Sequence, residues 1–459
     1  MKIFNTMAMR KVELVPRNGE LKIYACGPTV YNFIHIGNAR ALVAFDTFRR
    51  YLEYSGIKVT FVQNFTDIDD KMINKANEEG VTVKDIADRY IAEYWKDADG
   101  LNVRRATVHP KATENIDEIL SIIDGLVKKG HAYVAENGDV YFRTRSFREY
   151  GKLSGQRIDD LEAGKRIEVG DVKEDPLDFA VWKATKPGEP SWPSPYGEGR
   201  PGWHIECSAM ARRYLGDTID IHCGGKDLVF PHHENEIAQS ECCNGVPFSR
   251  YWMHNGFINV DGNKMSKSLN NFFLVRDVAN QFGYEPIRYF LISAHYRKPL
   301  NYTVDLIEQS RNALDRLYNC RDNLDYAISV APETGDESLA AEADKYMAQY
   351  REAMDDDVNT ADALAALFEL TRVVNSAKDQ SKASLEHAAK IYDDMCWILG
   401  ILYNRKKDEI PEEVKAMAEQ RQEARKARNF ALADELRNKI TEMGYTIEDT
   451  PEGPKIVKK

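Results

Sequence analysis

The 459-residue sequence lacks several things that would assign it quickly. No stretch approaches the roughly 18–20 consecutive apolar residues of a membrane-crossing helix, so no membrane partner is expected. The N-terminal text MKIFNTMAMRKVELV contains no uninterrupted apolar run, so no secretory leader is expected. Cysteine is scarce, 7 residues, odd in number and without a CxxC pair. That excludes a disulfide framework and points to a cytosolic protein whose cysteines are core residues or metal ligands. Positive charge is in deficit, 62 Lys and Arg against 73 Asp and Glu, for a net charge of −11. Such a chain does not coat nucleic acid non-specifically, although a local basic face can still meet a specific one. With 28 Gly and 17 Pro and no internal repeat, collagen-like, low-complexity and solenoid readings fall away. What is present is ordinary globular composition, 43% hydrophobic and 29% charged, at a length that suggests about three domains.

The first third alternates strand and helix text. Leu21–Ala25 is a short apolar run bounded by Cys26-Gly27-Pro28, which reads as a strand ending in a turn. Leu42, Phe45, Phe48 and Leu52 give helical spacing over 38–54, Gly56 ends it, and Lys58–Gln63 reads as a second strand. Strand, turn, helix and strand over about 45 residues is a βαβ unit, and its first turn is where nucleotide-binding sheets hold a ligand. Residues 112–202 read as an insertion: a helix from Ile116, a hairpin from His131 to Phe142 turning at Asn137-Gly138, then Gly- and Pro-rich loop. Parallel-sheet text resumes at Ile219–His222. From 303 the text is almost wholly helical, with Ala363, Leu364, Leu367 and Leu370 on a predicted buried face. A polar linker spans about 404–411. Residues 405–459 hold 13 Lys and Arg against 12 Asp and Glu, so the acidity lies upstream and this tail is the better part to approach a phosphate backbone.

Two segments suggest phosphate chemistry. His35-Ile36-Gly37-Asn38 sits at the turn before the first helix, whose N–H groups and dipole suit an anion, and Gly37 permits close backbone approach. A His there serves equally as a helix cap. Lys264-Met265-Ser266-Lys267-Ser268 sets two cations and two hydroxyls on a predicted mobile loop that could close over a triphosphate. A third constellation suggests metal. His232 and Glu236 are four apart and share a helix face, and Cys26 and Cys207 supply two thiols from elsewhere. His233 and Glu234 are candidate outer partners. Spacing alone leaves open a reading of buried cysteines beside a capped helix.

The first two segments resemble the HIGH and KMSKS signatures of class I aminoacyl-tRNA synthetases. The resemblance sharpens with Cys26-Gly27-Pro28-Thr29-Val30-Tyr31, the segment Asn64–Lys71, Gly202–Met210 and Phe230–Gln239. These look like the cysteinyl-tRNA synthetase family, in that family's order, and the likeness extends to Glu448–Gly453.

The resemblance implies an α/β fold. A Rossmann-type catalytic domain would occupy 1–111 and 203–302, with the connective insertion at 112–202, a helical bundle at 303–403 and a small anticodon-recognition domain at 404–459. It implies activation of L-cysteine by ATP and Mg2+ to an adenylate, then transfer to the 3′-terminal ribose of tRNA(Cys), by a cytoplasmic monomer. One Zn2+ per chain would sit on Cys26, Cys207, His232 and Glu236. ATP would meet His35, Gly37, Asn38, His222, Gly224, Gly225 and Asp227, with Lys264, Ser266, Lys267 and Ser268 on its phosphates. Gly27, Thr66 and Trp203 would lie beside the cysteine, and Arg421, Arg425, Lys426 and Arg428 beside tRNA. Zinc gives such a site a physical means of choice. Pocket size separates near-isosteres by only about 10–200-fold, whereas a thiol ionises readily on zinc and a serine hydroxyl does not. No editing domain is then required.

Two residues depart from the family pattern. Asn38 replaces a second His and is expected to alter contacts rather than abolish activity. Cys223 replaces a Gly, so its φ should be negative, its side chain should point away from ATP, and its thiol should be an oxidation-sensitive neighbour of the site. Three other readings stay in view. One is a cysteine ligase acting on an amino sugar, which the full C-terminal tail opposes. Another is a non-catalytic nucleotide- or RNA-binding protein, which the Lys264–Ser268 loop opposes. The last is a side activity on cysteine sulfur, which nothing in the sequence supports.

Overall fold

The computed structural model describes residues 1–158, 172–260, 263–264, 272–405, 411–450 and 453–458. They form two compact units. One comprises Met1–Leu314, Met347–Leu367 and Met395–Ile401, the other Asp315–Tyr346, Phe368–Asp394 and Leu402–Lys459. Met265–Ser268 and residues 406–410 of the expected linker lie outside the described residues, and Lys264 is described only as backbone in the short strand Asn263–Lys264.

The centre of the first unit is a four-stranded parallel sheet. Strand β1 (Glu20–Ala25) leads through helix α1 (Ile36–Tyr54) to β2 (Lys58–Gln63). Helix α2 (Ile205–Leu215) precedes β3 (Ile219–Gly225), which leads through α3 (Glu234–Asn244) to β4 (Ser249–Asn255). The order is β4-β3-β1-β2. The chain therefore leaves β1 toward one edge and β3 toward the other, and the crevice between the C-terminal ends of these two strands is the topological switch point. The strands are buried on both faces: Leu21, Ile23, Tyr24, Val62, Ile219 and Ile221 are fully enclosed. Helix α1 packs Ala39, Val43, Phe48 and Leu52 inward, and begins two residues earlier than its apolar spacing suggests.

Within the insertion, the helix Ile116–Lys128 and the hairpin Ala132–Val134/Val140–Phe142 form as read, with Gly138 at φ +86° in the turn. The stretch read as loop holds two more strands, Phe179–Ala184 and Gly199–Pro201, which complete a four-stranded antiparallel sheet. They form because Val181 and Trp182 are core residues, packed with Ile119, Ile123, Leu126 and Phe142. The same core takes in Ile205 and Ala209 of α2 and Ala238 of α3, so the insertion braces the two helices that flank β3.

Four helices follow as the sequence indicates, Val304–Val330, Ser338–Asp355, Thr360–Ser376 and Lys382–Leu399. In the second unit the helices Glu412–Lys426 and Phe430–Glu442 and the hairpin Tyr445–Thr450/Gly453–Lys458 close a small core of Val414, Ala418, Ile440, Tyr445 and Ile447.

Candidate active site and metal centre

A cavity of about 440 Å³ is lined by Cys26, Gly27, Thr66, Trp203, Cys207 and His232 together with His35, Gly37, Asn38, Gly225 and Asp227. Strand β1 ends directly at Cys26, and Gly27 must be glycine, since a Cβ there would lie 1.6 Å from the Asn64 carbonyl oxygen. Helix α1 opens with a reciprocal cap: the Asn38 N–H donates to His35 Nδ1 at 3.1 Å, and the His35 N–H donates to Asn38 Oδ1 at 3.2 Å. The Gly37 N–H, in the first turn, has no intrahelical carbonyl to meet. Trp203 is 42% exposed and its ring lies 4.5 Å from that of His232.

Four ligating atoms converge in the wall of this cavity. One ligand atom each from Cys26, Cys207, His232 and Glu236 lies within 4.8 Å of all the others. The Cys26 and Cys207 sulfurs are 3.9 Å apart, Cys26 Sγ is 3.6 Å from Glu236 Oε1, and His232 Nε2 is 2.9 Å from the same oxygen. A tetrahedral zinc with bonds of about 2.0–2.3 Å needs ligand separations of about 3.3–3.8 Å, so small shifts accommodate it. The electrostatics agree. Burial works against the Glu236 carboxylate, but His222 and His232 hold it down to about 2. Burial likewise opposes charge on His232, but Glu236 and Cys207 push it up to about 10. The Cys26 S–H donates toward Cys207 and pulls that thiol down to about 6, while burial keeps Cys26 protonated. Protons on Cys26 and His232 thus supply the two positive charges that a divalent cation would bring.

An outer ring of histidines surrounds the cluster. His222 Nε2 lies 2.8 Å from Glu236 Oε2, His204 Nδ1 lies 2.9 Å from His232 Nδ1, and His233 Nε2 lies 3.4 Å from Cys26 Sγ. His233 Nδ1 continues to His254 Nε2 at 2.8 Å, and His254 Nδ1 to Thr6 Oγ1 at 2.7 Å. Burial lowers His204 and His233 far below the usual imidazole range and His254 to about 3, so these rings are neutral.

Several sequence expectations are revised. His222 does not line the cavity. It is fully buried, bonded to Glu236 and stacked on Trp252, behind the ligand cluster. Gly224 is not among the lining residues, and the His233 ring lies 2.8 Å from where its Cβ would be, so a side chain does not fit there. Glu234 is not a partner of the cluster; it accepts the N–H groups of Leu153 and Ser154 and anchors the insertion. Cys223 has negative φ and faces away from the cavity as expected. It is fully buried, and burial pushes its thiol well up, which opposes the expected sensitivity to oxidation. Arg421 is not a surface cation: its side chain is 7% exposed and pairs with both carboxylate oxygens of Asp449 at 2.7 and 3.1 Å. Arg425 pairs with the same carboxylate. Lys426 and Arg428 are exposed, and close to them in sequence is a residue the sequence reading missed, Phe430, which is 62% exposed.

Known proteins resemble this chain in sequence and in fold. Residues 13–312 match the family described as tRNA synthetases class I (C) catalytic domain, residues 349–403 the DALR domain, and residues 407–454 the cysteinyl-tRNA ligase anticodon binding domain. The chain is 55% identical to a cysteine–tRNA ligase of Caldicellulosiruptor saccharolyticus over 99% of both chains. It is 53% identical to one of Clostridioides difficile, again over 99% of both. Among solved structures, Mycobacterium tuberculosis methionyl-tRNA synthetase with methionyl-adenylate superposes at a TM-score of 0.61 and 16% identity, covering 83% of this chain and 89% of that one. The Agrobacterium radiobacter K84 agnB2 LeuRS–tRNA–LeuAMS complex gives 0.60 at 12% identity, covering 84% and 85%.

Proposed function

The chain belongs to the cysteine–tRNA ligases, a family of class I aminoacyl-tRNA synthetases, and from that premise we propose how its residues select cysteine and activate it. The enzyme joins L-cysteine to tRNA(Cys) in an ATP-dependent, AMP-forming reaction. The observation that carries the reading is the meeting of Cys26, Cys207, His232 and Glu236 in the wall of the same cavity that holds His35, Gly37 and Asn38.

Those four ligands would hold one zinc ion, a borderline-soft Lewis acid that favours a thiolate over a hydroxyl. Gly27, Thr66 and Trp203 line the space beside it and would orient the amino acid. ATP, with its Mg2+, would lie along Gly225 and Asp227 with its phosphates toward the first turn of α1, where the Gly37 N–H and the helix dipole face the charge. Lys267, with Lys264, Ser266 and Ser268, is assigned to the triphosphate on the family resemblance alone. The substrate carboxylate attacks the α-phosphorus and pyrophosphate leaves. No side chain forms a covalent bond in this scheme, so the residues contribute position and charge stabilisation. The terminal ribose hydroxyl of tRNA then displaces AMP.

At the other end of the chain, Lys426, Arg428 and Phe430 form the surface assigned to the tRNA, cations for phosphate and an aromatic face for a base. The match over 407–454 favours a tRNA acceptor over an amino sugar. The protein is read as a cytoplasmic monomer.

ATP–pyrophosphate exchange with and without cysteine, followed by charging of tRNA(Cys), tests the reading. Cysteine-dependent exchange and charging are expected. No exchange from folded protein carrying about one zinc per chain would overturn it.

A further inference from the structure

Beside the catalytic cavity, within the same compact unit, lies a second chamber of about 280 Å³. The two share Thr29, Lys71 and Trp203 as a common edge. That edge includes Trp203, which is assigned to the amino acid, and no residue assigned to ATP. A third substrate entering from the second chamber would therefore meet the aminoacyl group without crossing the nucleotide. The chamber's other wall comes from the insertion. Lys183 on the strand Phe179–Ala184 and Arg200 on the strand Gly199–Pro201 meet Asp70, the first residue of the helix Asp70–Glu79.

Most charges of this chamber are answered from within. Asp69 caps the helix, its Oδ1 accepting the Lys71 N–H at 2.7 Å. Asp70 pairs with Lys183 at 2.7 Å and with Arg200, and Arg200 pairs also with Glu189 at 3.1 Å. Glu206 is buried in the wall. Lys71 is left over. It is exposed, its Nζ lies 5.5 Å from the centre of the Tyr31 ring, and no carboxylate pairs with it among the described residues. Trp203 stands at the same edge. The His204 and His232 rings lie 4.9 and 4.5 Å from its own, yet the residue stays 42% exposed. One unpaired cation and one open aromatic surface match the last nucleotide of an RNA chain, which brings one phosphodiester charge and one base. A free triphosphate calls for more positive charge than a single lysine supplies.

We propose that the second chamber receives the 3′-terminal nucleotide of the tRNA, with Lys71 on its phosphodiester and Trp203 against its base. The terminal ribose then stands at the shared edge, facing the activated cysteine. The ion pairs of Asp70 with Lys183 and Arg200 fix the insertion against the helix that carries Lys71, and so fix the width of this entrance.

The inference rests on the tRNA-charging reading above, and the experiment separates the two. Filter binding compares intact tRNA(Cys) with tRNA(Cys) lacking its last nucleotide, on wild type and on Lys71→Gln. Wild type is expected to bind the intact tRNA about tenfold tighter, and Lys71→Gln to lose most of that difference. The salt dependence of binding intact tRNA should fall by about one unit of slope in the variant, and that of the truncated tRNA should not change. In the variant, charging should fall about tenfold further than pyrophosphate exchange does. A second measurement needs no variant: tRNA(Cys) ending in azidoadenosine, irradiated on the wild-type enzyme, should label peptides containing Asp69–Lys71 or Arg200–Trp203. An equal loss on truncation in wild type and Lys71→Gln, or labelling confined to other peptides, would overturn the proposal. Failure of wild type to charge intact tRNA(Cys) would instead overturn the reading on which it rests.

Discussion

His35 and Asn38 hold each other: each side chain accepts the other's backbone N–H, at 3.1 and 3.2 Å, and together they cap helix α1 at the cavity wall. The Asn that departs from the family's second His therefore has a structural task, which an amide oxygen performs and an imidazole would perform differently. The two roles of Asn38 are separable. Asn38→Asp keeps the oxygen that accepts the His35 N–H, so thermal stability is expected to stay near wild type, while the carboxylate beside the phosphates raises KM for ATP about tenfold. Asn38→Ala loses the cap and is expected to cost about 1 kcal/mol. Melting curves and ATP kinetics on the pair check this.

Asp46 and Arg288 form an ion pair at 2.7 Å with side chains 2% and 0% exposed, and Arg50 and the Arg104 N–H complete the carboxylate's bonding. Burial alone would raise the Asp46 carboxyl, but Arg288 and Arg50 beside it hold it below its ordinary value. Arg288→Met removes one of the two arginines that neutralise a buried carboxylate, leaving Arg50, and is expected to cost up to about 3–5 kcal/mol. The sign of the pH dependence follows. Because the folded value lies below the unfolded value of about 3.9, the stabilisation is present above about pH 4 and is lost as pH falls through the folded value. Asp46→Asn, though less stable at neutral pH, should lose less stability between pH 5 and pH 3 in urea unfolding.

In the C-terminal domain, burial sorts the arginines. Arg421→Ala removes the bidentate partner of Asp449, whose carboxyl Arg421 holds down to about 2, and is expected to lower the melting temperature. Phe430→Ala should leave folding and pyrophosphate exchange unchanged while weakening tRNA binding about tenfold. Lys426→Ala and Arg428→Ala should each reduce the salt dependence of tRNA binding by about one unit of slope. Filter binding over a salt series reads all three.

Cys223, fully buried with a thiol kept protonated, should escape brief peroxide treatment of the folded enzyme. In metal-stripped protein Cys207, pulled down to about 6, should react first. Peptide mass spectrometry gives the order, and Cys223 reacting as fast as Cys207 would contradict it.

Local pattern made the βαβ unit legible, because apolar spacing and the Gly56 stop are encoded within a few residues of one another. The strand Phe179–Ala184 was not, since Gly- and Pro-rich text surrounds it and only its partners reveal Val181 and Trp182 as core. Of the ligand set, His232 and Glu236 announce themselves by helical spacing. Cys26 and Cys207 are 181 residues apart and meet only because β1 and β3 are neighbours at the switch point. The same topology hid the tasks of His222 and Gly224, whose neighbours come from α3 and the turn before it. Arg421 shows the complementary limit: basic text gives charge but not the carboxylate that answers it.

The central claim is that a metal on Cys26, Cys207, His232 and Glu236 chooses sulfur over oxygen. The most direct measurement is ATP–pyrophosphate exchange with cysteine and with serine, on zinc-loaded enzyme, on enzyme stripped by chelator, and after zinc is restored. Loaded and restored enzyme should favour cysteine by well beyond the roughly 10–200-fold that shape alone provides, and stripping should remove that preference. Equal exchange with serine and cysteine by zinc-loaded enzyme, or a preference for cysteine that survives complete loss of zinc, would contradict the account.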